Sequence, residues 1–139
     1  MKLCTITLLG LLAFIDAGCA PAASPSCAGV GGTPMLEYQL YFGRGISGRA
    51  DLTDREWADF AEQIITPSLP DGFTTFDADG QWMNPATRRI GRERTKVLIV
   101  ALPDTPATAS AVAAIKDAHR TQFHQQSVGT TVHPTCGAF

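Results

Sequence analysis

The sequence predicts an α+β domain with the ferredoxin-like βαββαβ order, in which two helices cover one face of an antiparallel sheet. Three observations lead to this class. Apolar residues recur with period 2 or period 3.6 in the order strand, helix, strand, strand, helix, strand. The first and third strands carry the richest apolar runs, as expected of the two central strands. A length of 139 residues with 45% hydrophobic content suits one core and therefore one domain.

The N-terminal residues predict export to the cell envelope or periplasm. Residues 3–15 are mostly apolar, a length that suits the core of a signal peptide and is too short to cross a bilayer. Residues 16–19 (DAGC) resemble the lipobox of bacterial lipoproteins, in which the cysteine receives lipid. We therefore predict a signal peptide over residues 1–18 and a membrane-anchored lipoprotein that is lipidated at Cys19. Ordinary cleavage after Ala20 or Ala22 is the alternative.

Residues 19–33 are rich in Ala, Pro, Ser and Gly and predict a disordered tether, because such a composition buries little apolar surface. The folded domain is then expected over residues 34–139. Cys4 leaves with the leader, so Cys27 and Cys136 remain as one pair if Cys19 is lipidated. In an oxidising compartment this pair predicts a disulfide.

Two local patterns predict the first strand and the first helix. Residues 36–42 (LEYQLYF) alternate between apolar and more polar side chains, which indicates a strand with one apolar face. Thr53 and Glu56 form a capping box at the start of a helix whose buried stripe begins with Trp57. Pro67 is expected to end this helix.

A hairpin is predicted in the middle of the chain. Residues 72–78 form its first strand, and Asp79-Gly80 is a strong signal for a tight turn. Its second strand is expected over residues 90–102, where residues 97–102 are uninterruptedly apolar. Such a run indicates a central strand that is covered on both faces or a sheet that packs against a partner.

The C-terminal part predicts one more helix and one more strand. Thr105 is the expected N-cap, and Pro106 takes the first helical position. Val112, Ile115 and Phe123 contribute to the apolar stripe of this helix. The last strand is expected over residues 127–133.

Alternation along the third strand separates its charged residues. Arg92, Arg94 and Lys96 point to one face, and Glu93 points to the other. If the three cations lie on the helix-free face, they predict a site for an anionic small molecule. The alternative is that they solubilise the end of the strand and pair with acidic residues such as Asp77.

A wider candidate site combines the first loop with the hairpin. A buried Glu93 needs a partner, and a pairing with Arg44 or Lys96 is expected. Acylphosphatases share the predicted topology and hold phosphate with an arginine and backbone amides of the first loop, so Arg44 could serve a hydrolase by analogy. No catalytic residue is assigned. The ligand-binding candidates are Arg44, Gln81, Trp82, Arg92, Glu93, Arg94 and Lys96.

Several classes of partner are not expected. The formal net charge of -2 gives no general attraction to nucleic acid, and a membrane is expected to be contacted only through the lipid anchor. The cysteines and histidines lack the spacing of metal ligands. Residues 43–48 match G-x-G-x-x-G, but the predicted helix starts too late for a dinucleotide site, so no cofactor is expected. A homodimer through the helix-free sheet face is predicted as the protein partner.

Several segments together are similar to domain-of-unknown-function family 3574, a group of exported bacterial proteins with no established activity. The resemblance spans about residues 38–132 and implies the same fold and no known substrate. It lies in LYFGR at 40–44, in Trp57 with Phe60, and in residues 65–74, 80–82, 91–98 and 123–128. The function that we predict is an exported small-ligand or protein binding module. The alternative is a small-molecule enzyme whose site lies between the first loop and the hairpin.

Overall fold

A computed structural model describes residues 26–139. The predicted signal peptide and the predicted lipidation site at Cys19 lie outside the described residues. Within residues 26–139 the chain forms an α+β domain with two helices and a four-stranded antiparallel sheet, which confirms the α+β part of the prediction. None of the helices in this range combines the length and the apolar character that a membrane span requires.

In spatial order, the strands of the sheet are β2 (Thr74–Met83), β3 (Ile90–Leu102), β1 (Thr33–Gly43) and β4 (Gly129–Gly137). The strands β1 and β3 therefore lie at the centre, in agreement with their apolar runs. Every pair of neighbouring strands is antiparallel. Because β1 and β2 both run antiparallel to β3, they are parallel to each other, with β3 between them.

The first helix, α1, consists of three consecutive pieces, which are Asp54–Phe60 (α-helical), Ala61–Ile65 (π-helical) and Thr66–Ser68 (a last α turn). The capping box is confirmed, because the Thr53 hydroxyl accepts a hydrogen bond from the Glu56 amide and the Glu56 carboxylate accepts one from the Thr53 amide. The predicted end at Pro67 is wrong, since Pro67 lies within the last turn. Pro67 lies at the start of the α-helical turn that follows the π-helical piece. Proline is tolerated there, because the first positions of a helical turn do not require a backbone N–H.

The second helix, α2 (Pro106–Gln122), begins as predicted. The Thr105 hydroxyl accepts a hydrogen bond from the Thr108 amide, and Pro106 occupies the first helical position. Both helices contribute side chains to one core cluster with the same face of β1 and β3. The largest fully buried members of that core are Phe42, Phe60, Leu40, Leu52, Ile65, Leu98, Ile115 and His119.

His119 is an unusual member of the core. Its ring lies among the rings of Phe42, Phe60 and Phe123, with centroid distances of 4.9, 5.4 and 5.0 Å. Within residues 26–139, neither nitrogen of the imidazole has a hydrogen-bond partner. Burial lowers the pKa of His119 from 6.5 to about 4, so the ring is neutral at pH 7.

The predicted hairpin turn at Asp79-Gly80 is wrong. Strand β2 continues through these residues to Met83, and the turn lies at residues 84–89. There the Asn84 side chain accepts hydrogen bonds from the amides of residues 86 and 87, and Arg88 adopts a positive φ of 57°. The turn is therefore stabilised by an asparagine side chain, while Gly80 lies in extended pairing opposite Glu93.

Strand β4 lies farther along the chain than residues 127–133. It is an edge strand that pairs with β1 alone in the sheet, and such a strand tolerates Pro134. The predicted disulfide is confirmed, because Cys27 and Cys136 are bonded with their Cα atoms 5.4 Å apart. The bond links the end of β4 to a short 3-10 helix, Ala28–Val30, within the described part of the predicted tether.

Candidate functional site

The register of the sheet assigns the charged residues of β3 to a face. Leu98 lies opposite Leu40 in the core, so this position faces the helices. Arg92, Arg94 and Lys96 precede Leu98 by even numbers of residues and share its face. Their predicted alternation with Glu93 is confirmed, but their predicted position on the helix-free face is wrong. Period 2 alone could not decide the face, because residues 97–102 are apolar at every position.

Arg44 is a structural residue that closes the loop between β1 and α1. Its side chain is only 3% exposed. Nε donates a hydrogen bond to the Leu52 carbonyl at 2.7 Å, Nη2 donates to the same oxygen, and the Leu52 amide donates back to the Arg44 carbonyl at 2.8 Å. Nη1 donates to Asp54 and Asp77 at 3.0 and 3.2 Å. All three guanidinium nitrogens are therefore in use within the protein.

Lys96 belongs to the same ion-pair cluster, which we define as Arg44, Asp54, Asp77 and Lys96. Its Nζ lies 3.1 Å from Asp54 Oδ1 and 2.9 Å from Asp77. The hydrogen bond from Lys96 is the main cause that holds the pKa values of Asp54 and Asp77 below the usual 3.8. The alternative interpretation of the sequence, in which a β3 cation pairs with Asp77, is thus confirmed for Lys96.

The first loop does not offer the phosphate site that the acylphosphatase analogy requires. A phosphate would need a free guanidinium and free backbone amides in this loop. The guanidinium of Arg44 is occupied, and the Gly45 amide donates a hydrogen bond of 2.8 Å to the carboxylate of Glu93. The protein's own carboxylate therefore occupies an amide that a bound phosphate would use, and it would repel that phosphate.

Glu93 lies on the helix-free side of the sheet, which we call the open face. Its carboxylate extends over the end of β1, where an added Cβ at Gly43 or Gly45 would lie 2.5 or 2.9 Å from Oε1. The two glycines therefore provide the space that the carboxylate fills. The expected pairing with Arg44 or Lys96 is wrong, because both cations lie on the other face. Among the residues that the structure describes, Glu93 forms no ion pair.

A concave pocket of about 850 Å³ surrounds Glu93 at one end of the open face, and we call it the Glu93 pocket. Residues of all four strands, of the first loop and of the segment between α2 and β4 line it, and β4 contributes only Gly129. Glu93 itself is half-buried. The lining residues are Tyr41, Gly43, Gly45, Ser47, Ala78, Asp79, Gly80, Trp82, Arg92, Glu93, Thr95, Val97, His124, Gln125, Gln126, Ser127 and Gly129.

The indole of Trp82 forms one side of the Glu93 pocket. Trp82 pairs with Gly91 across the hairpin, and a Cβ at Gly91 would lie 2.6 Å from the indole ring. The ring therefore lies directly over the Gly91 backbone, and Trp82 remains 50% exposed. Gly80 lies opposite Glu93 and carries no side chain, so the sheet surface beside the carboxylate is bare.

The opposite side of the pocket is formed by Tyr41 and the segment of residues 124–127. Tyr41 pairs with Gly129 and donates a hydrogen bond from its hydroxyl to Gln39 at 2.9 Å. The Gln125 side chain donates to the Gly45 carbonyl and so ties this segment to the first loop. The backbone of Gly45 thus binds Glu93 through its amide and the Gln125 side chain through its carbonyl.

The structure brings together only part of the predicted set of seven ligand-binding candidates. Trp82, Glu93 and Arg92 line the Glu93 pocket, while Arg44 and Lys96 belong to the ion-pair cluster. An adjoining pocket of about 540 Å³ is lined by Gln81, Arg92, Glu93 and Arg94 together with Asp51 and Asp79. Arg92 donates a hydrogen bond from Nε to Gln81 at 2.9 Å. The binding roles of these residues stay predictions.

Sequence reasoning missed the contribution of the glycines and of residues 124–127. Gly43 and Gly80 lie beside Thr95 and Glu93 in the register, so their missing side chains create the concavity. The sequence contains a glycine beside Glu93 on each neighbouring strand, Gly43 on β1 and Gly80 on β2, but this can be recognised only when the register is known. In the described range, no group of three or more His, Cys, Asp or Glu residues could hold a metal ion.

A comparison with protein-family models shows which family the chain belongs to. Residues 37–139 match the model of DUF3574, whose description is a protein of unknown function. The chain belongs to this family. The resemblance found in the sequence is therefore confirmed, and it now covers the whole sheet except the first residues of β1.

The fold is similar to that of a phage SAM lyase. That protein was solved in complex with S-methyl-5'-thioadenosine and in an apo state, with TM-scores of 0.56 and 0.55 and 12% sequence identity in both comparisons. The alignments cover 74% and 76% of this chain and 90% and 86% of the lyase chains. At this identity the likeness concerns the fold alone. A comparison with curated proteins finds no significant match.

Proposed function

We propose that the chain is an exported small-ligand binding module of the cell envelope and that the Glu93 pocket is its ligand site. One observation carries the proposal. A half-buried carboxylate with no ion-pair partner in residues 26–139 lies in the pocket beside an indole that is 50% exposed. Concave sites that combine exposed aromatic surface with a few fixed polar groups are typical of small-molecule binding.

The fold supports the proposal without identifying the ligand. The order strand, helix, strand, strand, helix, strand, with β1 and β3 at the centre, favours the ferredoxin-like fold. The phage SAM lyase of similar fold was solved with S-methyl-5'-thioadenosine. This nucleoside is therefore a reasonable first probe in a ligand screen.

The direct test is a thermal-shift and tryptophan-fluorescence screen of the purified mature protein against nucleosides, amino acids, amines and carboxylic acids. The variant Ala78→Phe adds a ring inside the pocket, because Ala78 lies on the open face opposite Thr95. Ala58→Phe adds the same volume to the exposed side of α1 and is the matched control.

The proposal expects at least one compound to stabilise the wild type and the Ala58→Phe variant, and to bind Ala78→Phe at least about tenfold more weakly. A screen with no binder, or a binder that Ala78→Phe retains in full, would contradict the assignment of the pocket. Far-ultraviolet circular dichroism confirms that both variants keep the fold.

A second candidate is a small-molecule enzyme that uses the same pocket. The observation that favours it is the fixed position of the Glu93 carboxylate, since a carboxylate held inside a pocket can serve as a general base. Mass spectrometry of each bound probe after incubation distinguishes the two functions. A probe that returns unchanged supports binding, and a probe that is converted at a rate that Glu93→Gln abolishes supports catalysis.

Export, lipidation at Cys19 and a homodimer through the open face are also part of the proposed function. Mass spectrometry of the mature N-terminus tests the lipid, and an unmodified N-terminus at residue 23 would contradict it. Sedimentation equilibrium tests the dimer. An anionic ligand at Arg92 and Arg94 has less support, because Asp79 and Glu93 line the same pocket.

A further inference from the structure

We infer that the Glu93 pocket selects a cationic small molecule, with Glu93 as the counter-ion and Trp82 as an aromatic platform. The inference rests on the proposed function and adds the chemical class of the ligand. It reverses the sign of charge that the arginine pattern of β3 suggested.

Within residues 26–139, no cation forms an ion pair with Glu93. Its Oε1 accepts one hydrogen bond from the Gly45 amide, and in the described range Oε2 has no hydrogen-bond partner. The two cations that were expected to pair with Glu93, Arg44 and Lys96, instead form ion pairs with Asp54 and Asp77 on the helix side of the sheet. A half-buried carboxylate loses part of its hydration, which costs free energy. A bound cation would offset that cost through a charge-assisted hydrogen bond or an ion pair.

The remaining charges of the pocket do not change this conclusion. Among the described residues, Arg92 is the one Lys or Arg that lines it, and its Nε donates to Gln81 on the helix side of the sheet. Asp79 also lines the pocket from the helix side, where it lies opposite Arg94 in the register. On the open face, a bound anion would therefore meet the carboxylate of Glu93, whereas a cation would be attracted to it.

The position of Trp82 adds the second contact. The indole covers Gly91, which precedes Glu93 by two residues on the same face, about 7 Å along the strand. A cation binds favourably within about 6 Å of an indole centroid. Glu93 and Trp82 line the same pocket, and Gly80 beside them carries no side chain, so a cation in the pocket can reach both groups. This combination suits an onium ion, which is a methylated ammonium or sulfonium group.

The test uses pairs of probes that differ in charge but hardly in shape. Choline is compared with 3,3-dimethyl-1-butanol, and S-adenosylmethionine is compared with S-adenosylhomocysteine, by isothermal titration calorimetry and tryptophan quenching. The variants are Glu93→Gln and Trp82→Leu, with Glu62→Gln on the exposed side of α1 as the matched control. Gln keeps the shape and the hydrogen-bond acceptor at position 93, so the variant is expected to fold.

The inference expects the charged member of at least one pair to bind at least about tenfold more tightly than its partner. Glu93→Gln should remove that preference, Trp82→Leu should weaken the cation severalfold, and Glu62→Gln should bind as the wild type does. Equal binding of both members, or a preference that Glu93→Gln retains, would overturn the cationic class while the pocket assignment stands. If neither these probes nor the broader screen gives any binder, the inference and the proposed function fall together.

Discussion

The buried His119 is expected to make the stability of the domain depend on pH between pH 8 and pH 5. The ring is fully buried among three phenylalanines, and its pKa is lowered from 6.5 to about 4 by burial. In the unfolded chain the ring is hydrated and titrates near 6.5. Between these two values the unfolded chain binds more protons than the folded protein, so the free energy of unfolding falls as the pH falls.

The expected size of the effect follows from the two pKa values. Each pKa unit corresponds to about 1.4 kcal/mol, so the loss reaches roughly 3 kcal/mol below pH 4 and about 2 kcal/mol at pH 5. Asp54 and Asp77 act in a separate window, because carboxylates with lowered pKa values lose their stabilising contribution only as the pH falls below 3.8. The range from pH 8 to pH 5 therefore isolates His119 from the ion-pair cluster.

The perturbation is His119→Leu, which keeps a side chain of similar volume and removes both buried ring nitrogens. Urea unfolding, followed by the fluorescence of the buried Trp57, gives the free energy of unfolding at pH 8 and at pH 5. The wild type should lose about 2 kcal/mol more than the variant over this range. At pH 8 the substitution should change stability by no more than about 1 to 2 kcal/mol, because lost aromatic contacts oppose the removal of unsatisfied polar atoms.

The exposed His133, replaced by Gln, is the matched control for this experiment. It should retain the full pH dependence of the wild type. If His119→Leu and the wild type lose the same stability between pH 8 and pH 5, then burial does not lower the pKa of His119 and the reasoning is wrong. A titration of the His119 ring protons by nuclear magnetic resonance gives the same answer directly.

Three further predictions concern the site, the ion-pair cluster and the disulfide. Gly43→Ala should displace the flexible Glu93 carboxylate, since its Cβ would lie 2.5 Å from Oε1, and should lower cation affinity with little change in melting temperature, as calorimetry would show. Lys96→Met should lower the free energy of unfolding by roughly 1 to 3 kcal/mol through its lost charged hydrogen bonds, measured by urea unfolding. Replacing Cys27 and Cys136 by Ser should cost up to roughly 4 to 5 kcal/mol, because the bond spans 109 residues, and no loss in melting temperature would refute this.

Local sequence signals predicted those parts of the fold that depend on a few neighbouring residues. The sequence predicted the capping box at Thr53, the start of α2 at Pro106 and the bounds of β3. Helix caps and strand alternation depend on residues that are close in sequence. The hairpin turn was missed for the same reason. Asp79-Gly80 has the composition of a turn, but pairing with β3 keeps it extended, and Asn84 supplies the turn instead.

The candidate site was only half predictable, because the sequence does not fix which face of β3 is covered. Residues 97–102 are apolar on both faces of the strand. Whether Lys96 or Glu93 lies on the open face therefore depends on the register with β1. Glu93 and Trp82, two of the predicted candidates, line the pocket, and their binding roles stay predictions. Gly45 was not among the candidates, since its contact with Glu93 joins residues that lie 48 positions apart.

The two faces of the sheet depend on each other through one loop. Arg44 closes that loop from the helix side by binding the Leu52 carbonyl, Asp54 and Asp77. The adjacent residue, Gly45, faces the other way and donates its amide to Glu93 on the open face. Of the three β3 cations that the sequence suggested as an anion site, Lys96 belongs to the ion-pair cluster on the helix side of the sheet. Together with Arg44, Lys96 holds the loop from which the Gly45 amide binds Glu93. Within residues 26–139 this carboxylate has no ion-pair partner, and that is the basis of the proposed preference for a cation.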